Sequence, residues 1–437
     1  MLKKSIIFIA IVQSGSLAFA NTSGLSLISS SVSKHPVVIE KANEITLKGI
    51  SVDQLQAEDG LKVNLSTKSK ISIKDNIKTG SVNQSEDLDR EFLDGVVTLS
   101  KNLYDFGVVE FKSDAEIHRK EALKLEYYQA FSVTLQKLLN TANDVERVTH
   151  VLVQLESDIV EVNAAIAEIK LRFASGIGTI MDVRQAQLSL LDLETEIQTL
   201  RRDRETNLVV LRDEFNLSQA DLTVINQAID QFNNQLTTDK QNVAVVINQA
   251  VNYQRSVDVI NLEKSALNSQ IKSLKSENMP QLSASITGIA YDVTRGLDEY
   301  ELYGGINLTM PLFDSGLSEV KQRGLAYRIK VQNDMMSALD QDKSLALNKL
   351  TKKYQNLQIE KNSAVQKQTN LTEKLNQIIQ RMAVVDEGLL TKLQTQLQLS
   401  KIERDLLAYP YHVKSLNIDY WALNEQLIEK IGIHPTK

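Results

Sequence analysis

One offset dominates this chain. Gly95-Val96-Val97-Thr98-Leu99-Ser100-Lys101-Asn102-Leu103-Tyr104-Asp105-Phe106-Gly107 returns as Gly304-Gly305-Ile306-Asn307-Leu308-Thr309-Met310-Pro311-Leu312-Phe313-Asp314-Ser315-Gly316, a shift of 209 (316 minus 107). The same shift relates Arg172, Gln185, Gln187, Leu188, Leu190 and Glu194 to Arg381, Gln394, Gln396, Leu397, Leu399 and Glu403. A constant, gapless offset over this span means a duplicated half-chain. Whatever fold one half takes must be built twice.

Each half joins two periodicities. In the first, Leu61, Val63, Leu65, Ile71 and Ile73 alternate with Lys62, Asn64, Ser66, Lys68, Lys70, Ser72 and Lys74, the pattern of a strand with one apolar and one polar face. A second strand follows, with Leu93, Gly95, Val97, Leu99 and Leu103 on one side and Asp94, Thr98, Ser100 and Asn102 on the other. The second half repeats this hairpin over 281–312. Strands of this kind match the ~9–11 residues that a tilted strand needs to cross a bilayer. Two such hairpins cannot close a barrel, and lipid does not tolerate open strand edges, so several chains must pool strands if they face a membrane. A soluble β-sandwich fits the alternation alone equally well.

After each hairpin the period becomes helical. From Val108 to Ser175 there is neither Gly nor Pro, and Val145, Val148, Val151, Leu155, Ile159, Val162, Ile166 and Ile169 form an apolar stripe. Such a helix runs ~100 Å at 1.5 Å per residue and has to pair lengthwise as a coiled coil. The matching helix is expected over 317–385. Gly176 and Gly178 supply the positive φ of a tight reversal, and Thr179 is placed to cap a returning helix over 179–214. In the second half the reversal falls near Asp386-Glu387-Gly388, followed by a returning helix over 389–430. These helices by themselves also fit a non-pore periplasmic coiled-coil rod with a structural or adhesive role.

The N-terminus carries Lys3, Lys4, an apolar run from Ile6 to Val12 and Ala18-Phe19-Ala20, the layout of a signal peptide over 1–20. That run is shorter than the ~20 residues of a spanning helix. With no Cys there is no disulfide framework, thiol chemistry or Cys-held metal. The net charge of −6, or −8 without Lys3 and Lys4, disfavours a nucleic-acid partner. His35, His118, His150, His412 and His434 show no metal-ligand spacing, and no phosphate loop follows a strand. No enzyme, cofactor or metal site is expected.

Hairpin, Leu-aromatic-Asp-x-Gly turn, very long helix, Arg-Phe-x-x-Gly-x-x-Thr-x-x-Asp-Val reversal and returning helix, all twice, resemble the TolC-like outer-membrane efflux protein family. His35-Pro36-Val37 in the first helix and Met279-Pro280-Gln281-Leu282 entering a strand add to the likeness, which spans roughly Leu25 to Gly432. The resemblance implies a mainly α protein with a membrane β-barrel portion. Three copies would give four strands each to a twelve-stranded barrel standing on a periplasmic α-helical cylinder. It implies domains of 21–215 for the first repeat (hairpin 61–104, long helix 108–175), a connector over 216–243, a second repeat over 244–432 opening with a helix at 244–277, and a tail over 433–437. The implied partners are two further copies, outer-membrane lipid, a periplasmic adaptor and an inner-membrane ABC or proton-driven transporter, for type I protein secretion or multidrug efflux.

The same resemblance assigns sites. Leu103, Asp105 and Gly107, with Leu312, Asp314 and Gly316, mark the change from strand to helix. Leu99 and Leu308 face lipid, while Lys62, Lys68, Lys70, Asn102 and Asn307 line the lumen. Arg172, Gly176, Thr179, Asp182, Arg381 and Gly388 form the periplasmic tip that meets the adaptor. Asp386, Glu387, Thr391 and Gln394 are the candidates for a pore constriction. The sequence departs from the family here: Gly176 corresponds to Val385 and Asp182 to Thr391, so the usual ring of aspartates at the second reversal is missing. Pro410 is expected to kink the last returning helix or to split it.

Overall fold

The computed structural model describes residues 17–70, 92–238, 251–382 apart from 292, 294, 295 and 297, and 388–433. The chain divides into two compact units. One comprises 1–41, 126–256 and 338–437, the other 42–125 and 257–337. In chain order the elements are α1 (Leu17–Ser33), α2 (Pro36–Glu58), β1 (Lys62–Lys70), β2 (Phe92–Tyr104), α3 (Val108–Ala174), α4 (Ile180–Asp213) and α5 (Gln219–Thr238). They continue as α6 (Gln254–Ser276), β3 (Gln281–Ala290), β4 (Tyr300–Thr309), α7 (Leu317–Met382), α8 (Leu389–Leu423) and α9 (Leu427–Ile431).

In the first unit the helical pairing follows the heptad. Val148, Leu152, Leu155, Ile159, Val162, Ile166 and Ile169 of α3 step by four and three, as do Val183, Ala186, Leu190, Leu193, Ile197 and Leu200 of α4, and all share one apolar cluster with Leu389 and Leu393 of α8. A strict period of seven produces a left-handed coiled coil with these residues as knobs. A second cluster joins Ile28 and Val32 of α1, Phe131 to Val145 of α3, the end of α4, and Ile418 to Trp421 of α8.

That second cluster takes in part of the span 216–243, expected as a connector between the repeats. Residues 219–238 form α5, whose Leu222, Ile225, Ala228, Ile229 and Phe232 are buried. Ser218 opens it: its N–H and hydroxyl both donate to the Asp221 carboxylate, at 2.8 and 2.7 Å. Other boundaries shift as well. His35-Pro36 lies between two helices, not inside the first, with Pro36 at the opening position where a missing N–H costs nothing. The helix expected from 244 begins at Gln254, whose N–H is taken by the Asn252 side chain at 3.2 Å; residues 244–250 lie outside the described residues. The last returning helix stops at Leu423, where Asn424 and the positive φ of Glu425 turn the chain before α9. Pro410 does not split α8, which runs unbroken through it.

The second unit carries one antiparallel sheet in the order β1-β2-β3-β4. Its register puts Val63 opposite Leu99, Leu99 opposite Ile286, and Leu282 opposite Leu308, so the apolar positions of all four strands share a face. The other face carries Lys62, Asn64 and Lys68 of β1, Ser100 and Asn102 of β2, Ser283, Ser285 and Thr287 of β3, and Asn307 of β4. The apolar face is uncovered: Val63, Leu65, Leu302, Ile306 and Leu308 are exposed, as are Lys62, Asn64, Lys68 and Asn307 on the polar face, while Thr287 in the middle of the polar face is buried. One irregularity departs from strict alternation. A bulge between Asn102 and Tyr104 places Tyr104 opposite Leu282, the position that alternation assigns to Leu103. Ile71 and Ile73 lie outside the described residues.

Both strand-to-helix turns obey the repeat atom for atom. Phe106 and Gly107 take φ of 56° and 83°, and Ser315 and Gly316 take 56° and 80°. Asp105 accepts from the N–H groups of Gly107 and Val109 at 2.9 Å each, and Asp314 from those of Gly316 and Ser318 at 2.9 Å each. A left-handed pair thus turns the chain, and a carboxylate caps the otherwise orphaned N–H groups of a very long helix. Asp105→Ala is expected to cost about 1 kcal/mol, read as a lowered thermal midpoint. Hydrogen bonds from the side chain and backbone of Ser318 hold the Asp314 carboxyl below its ordinary value. A depressed folded value means stabilisation present above the unfolded carboxylate pKa and lost as pH falls through the folded one. Melting curves across pH should therefore separate wild type from Asp314→Asn near neutrality and converge in acid.

Candidate functional site

Two places bring the sequence-predicted residues together, each through local chain geometry, and a third joins residues that the sequence reading did not single out. The first is the sheet. Leu99 and Leu308 stand on its exposed apolar face, and Lys62, Lys68, Asn102 and Asn307 stand on the other. Lys70 shares their parity. Within the described residues β1 and β4 are the edge strands and neither pairs further. The apolar face ends in exposed aromatic and aliphatic side chains at the helix side, namely Tyr104, Phe106, Leu312 and Phe313. Tyr104 and Phe106 meet edge to face with ring centroids 4.7 Å apart.

The second place is the helix reversal of the first unit. The N–H of Ile177 donates to the Arg172 carbonyl at 2.9 Å and that of Gly176 to the Phe173 carbonyl at 3.0 Å, a Schellman closure of α3 with Gly176 left-handed at φ 79°. Two residues on, the Asp182 N–H donates to the Thr179 hydroxyl at 3.2 Å while the Asp182 carboxylate accepts from the Thr179 N–H at 2.8 Å. This reciprocal box starts α4 and commits the carboxylate of Asp182 to its own backbone.

The second reversal approaches the same spot. Arg172, Thr179 and Asp182 line one cleft of about 360 Å³ with Gly388, Leu389 and Thr391. Gly388 sits at φ 102° as the first residue of the returning turn and offers no side chain for capping. Thr391 is exposed and Gln394 half-buried on the first turns of α8, while Arg381 is exposed near the end of α7 and Gly176 lies outside the cleft lining. Asp386, Glu387 and Val385 lie outside the described residues.

The third place escaped sequence reasoning. Asp158 of α3 and Arg404 of α8 form an ion pair at 6% and 5% exposure, and the Ser400 hydroxyl donates to the same carboxylate oxygen. Arg404 also reaches Glu196 of α4 at 3.3 Å. One guanidinium thus ties three helices together inside an apolar coiled coil. Charged residues on amphipathic helices ordinarily form the solvated face, so the pattern gave no reason to place these inside. The repeat held a faint clue: at the offset of 209 the counterparts are Lys367 and Thr195, so the pair, which links the two halves, occurs at one of two equivalent positions. Asp158→Ala should cost about 3 kcal/mol or more by stranding a buried cation, whereas Asp158→Leu with Arg404→Leu should cost much less, measured by thermal melting of each variant.

Near Pro410, burial raises the Tyr411 hydroxyl to about 12 and holds His412 below its ordinary value. Both side chains are therefore neutral at physiological pH. Among the described residues no group of His, Asp and Glu could hold a metal, and no helix is long and apolar enough to cross a membrane.

This geometry has relatives. Residues 27–217 match the sequence model of the outer membrane efflux protein family. Among solved structures, the outer membrane protein VceC of Vibrio cholerae matches with a TM-score of 0.72 at 14% identity, over 95% of this chain and 97% of that one. The CmeC outer membrane channel of Campylobacter jejuni gives 0.69 at 12% identity, over 95% and 87%. The open state of the MtrE outer membrane channel of Neisseria gonorrhoeae gives 0.69 at 12%, over 92% and 89%. No curated sequence matches the chain. The resemblance read from the sequence holds at the level of the fold: residues 27–217 match the outer membrane efflux protein model, and nearly the whole chain superposes on solved outer membrane proteins of that build.

Proposed function

We propose that the protein is a passive exit duct: a homotrimer whose pooled strands form a twelve-stranded outer-membrane barrel above a periplasmic helical cylinder. One observation carries this reading. The sheet leaves its apolar face uncovered, ends among the described residues in two unpaired edge strands, and passes directly into capped helices of 67 and 66 residues. A non-pore rod has no use for such a sheet, because an exposed apolar face with open edges invites aggregation in water. In lipid the same face is favourable, provided that neighbouring copies satisfy the edges.

On this reading Lys62, Lys68, Asn102 and Asn307 line a wet lumen. The tip residues Arg172, Gly176, Thr179, Asp182, Arg381 and Gly388 meet a periplasmic adaptor, and the entrance narrows around Thr391 and Gln394, with Asp386 and Glu387 nearby in sequence. Because Asp182 is spent on its capping box, it is a poor source of a cation-attracting ring. The duct supplies no energy; an inner-membrane ABC or proton-driven transporter drives cargo and selects it. Type I protein secretion and multidrug efflux both fit such a duct. Loss of a secreted protein from the medium of a deletion strain would mark the first, and a rise in drug susceptibility the second.

Purified protein placed in planar bilayers should give discrete openings, more frequent for Thr179→Ala with Asp182→Ala, which loosens the tip. Persistent silence of both wild type and this variant, at protein concentrations that load the membrane, would sink the channel reading.

A further inference from the structure

On the helices next to the sheet, charges are kept in pairs until α7 is reached. Lys48 of α2 pairs with Glu116 of α3 at 2.8 Å, Glu116 with Arg119 at 2.6 Å, and Arg119 approaches Glu263 of α6 at 4.0 Å. Lys112 of α3 meets Glu277 of α6 at 2.7 Å. Each cation of this row has a carboxylate within reach. The offset of 209 carries Lys112 and Arg119 to Lys321 and Arg328 of α7, but it replaces Glu116 by Leu325. Among the described residues neither Lys321 nor Arg328 has a carboxylate within ion-pair distance.

Lys321, Leu325 and Arg328 open onto one cleft of about 460 Å³ together with Lys112 and Glu277. Three cations and one carboxylate leave this cleft with two positive charges in surplus. Gln332 and Met335 follow on the same face of α7 at helical spacing and add no acid. The polar face of the sheet is alike at its helix end. Its register aligns Lys62, Ser100, Ser285 and Gly305 in one cross-strand row and Asn102, Ser283 and Asn307 in the next, so Lys62 carries the one charge of the two rows. Lys68, further from the helices, lies opposite Asp94. The carboxylates of Asp105 and Asp314, between sheet and helices, are spent on N–H groups of their own turns.

The cleft belongs to the inner side of a closed ring. α3 meets α2 through Glu116 and α6 through Lys112 and Arg119, and at about 100° per residue these three side chains occupy one arc between its two neighbours. Ile117, Lys124 and Tyr128 stand on the other side and are exposed. In a ring of helices the arc between neighbours is narrower inside than outside. The narrow arc here is the charged one, and Lys321 and Arg328 share its cleft.

We propose that Lys62, Lys321 and Arg328 form a cationic collar where barrel meets cylinder, which draws small anions into the duct and makes its pore anion-selective. This collar rests on the duct reading above and adds the ionic preference of the lumen; the choice of cargo stays with the transporter. The chemistry it recognises is a chloride ion or the phosphate, sulfonate or carboxylate group of a small solute. Rings of Lys and Arg confer such a preference because low-dielectric walls focus their field on the water between them.

In planar bilayers under a roughly tenfold gradient of potassium chloride, the reversal potential of wild type should show chloride passing over potassium by about threefold or more, a preference that fades as added salt shortens the screening length. Lys321→Glu with Arg328→Glu should invert it. Arg323→Gln with Lys330→Gln removes two cations from the opposite side of α7, outside the cleft, and should leave it unaltered. Because the chain has no Cys, Arg328→Cys gives a reading that does not depend on refolding a new charge: a negatively charged thiol reagent added to open channels should move the reversal potential toward potassium, and a positively charged one toward chloride. Wild-type openings that favour potassium or neither ion overturn the collar while leaving the duct standing, as does a chloride preference that ignores both the charge swap and the thiol reagents. Silence of wild type and of every variant removes the duct reading itself.

Discussion

The constraint from which the rest of this structure follows is the hydrogen-bonding demand of an unfinished sheet. Four strands with an uncovered apolar side leave, among the described residues, two rows of backbone N–H and C=O groups without strand partners, at β1 and at β4. Water can satisfy such edges, but water also penalises the exposed Val63, Leu65, Ile306 and Leu308. Lipid accepts those side chains and forbids open edges. A closed assembly in lipid meets both conditions, which is why the proposed duct is built from several copies.

Closing the sheet imposes requirements on the helices. Each strand pair must deliver its helices at a fixed angle, and the Asp105 and Asp314 turns do so with the same two left-handed residues and the same pair of capped N–H groups. A carboxylate at the start of a very long helix also sits at the positive end of its dipole. Rigidity there matters more than sequence elsewhere, because a small error in direction is amplified along 66 or 67 residues.

The two halves are not spent equally. Where they match, they build framework: the hairpins, the turns and the heptad stripes. Where they differ, they carry individual duties. Asp158 and Arg404 pin α3, α4 and α8 across the two halves, and the equivalent positions Lys367 and Thr195 do not repeat the pair. Gly176 and Asp182 build a tight, doubly closed reversal, while the other copy enters its returning helix at Gly388 without a side-chain cap.

By itself the sequence determined the duplication, the inside-out hairpins, the long helices and the identity of the turn and cap residues. All of these are local: a period of two, a period of three and a half, a glycine at positive φ, a hydroxyl three residues before a carboxylate. It also carried the α5 stripe of Leu222, Ile225, Ile229 and Phe232, which polar neighbours masked. Only the tertiary structure decided which strand residue the bulge at Leu103 displaces, that α8 runs unbroken through Pro410, and that an ion pair is buried between residues 246 apart in sequence. Each of those depends on what packs opposite, and a partner distant in the chain, or in another copy of it, leaves no mark on local periodicity.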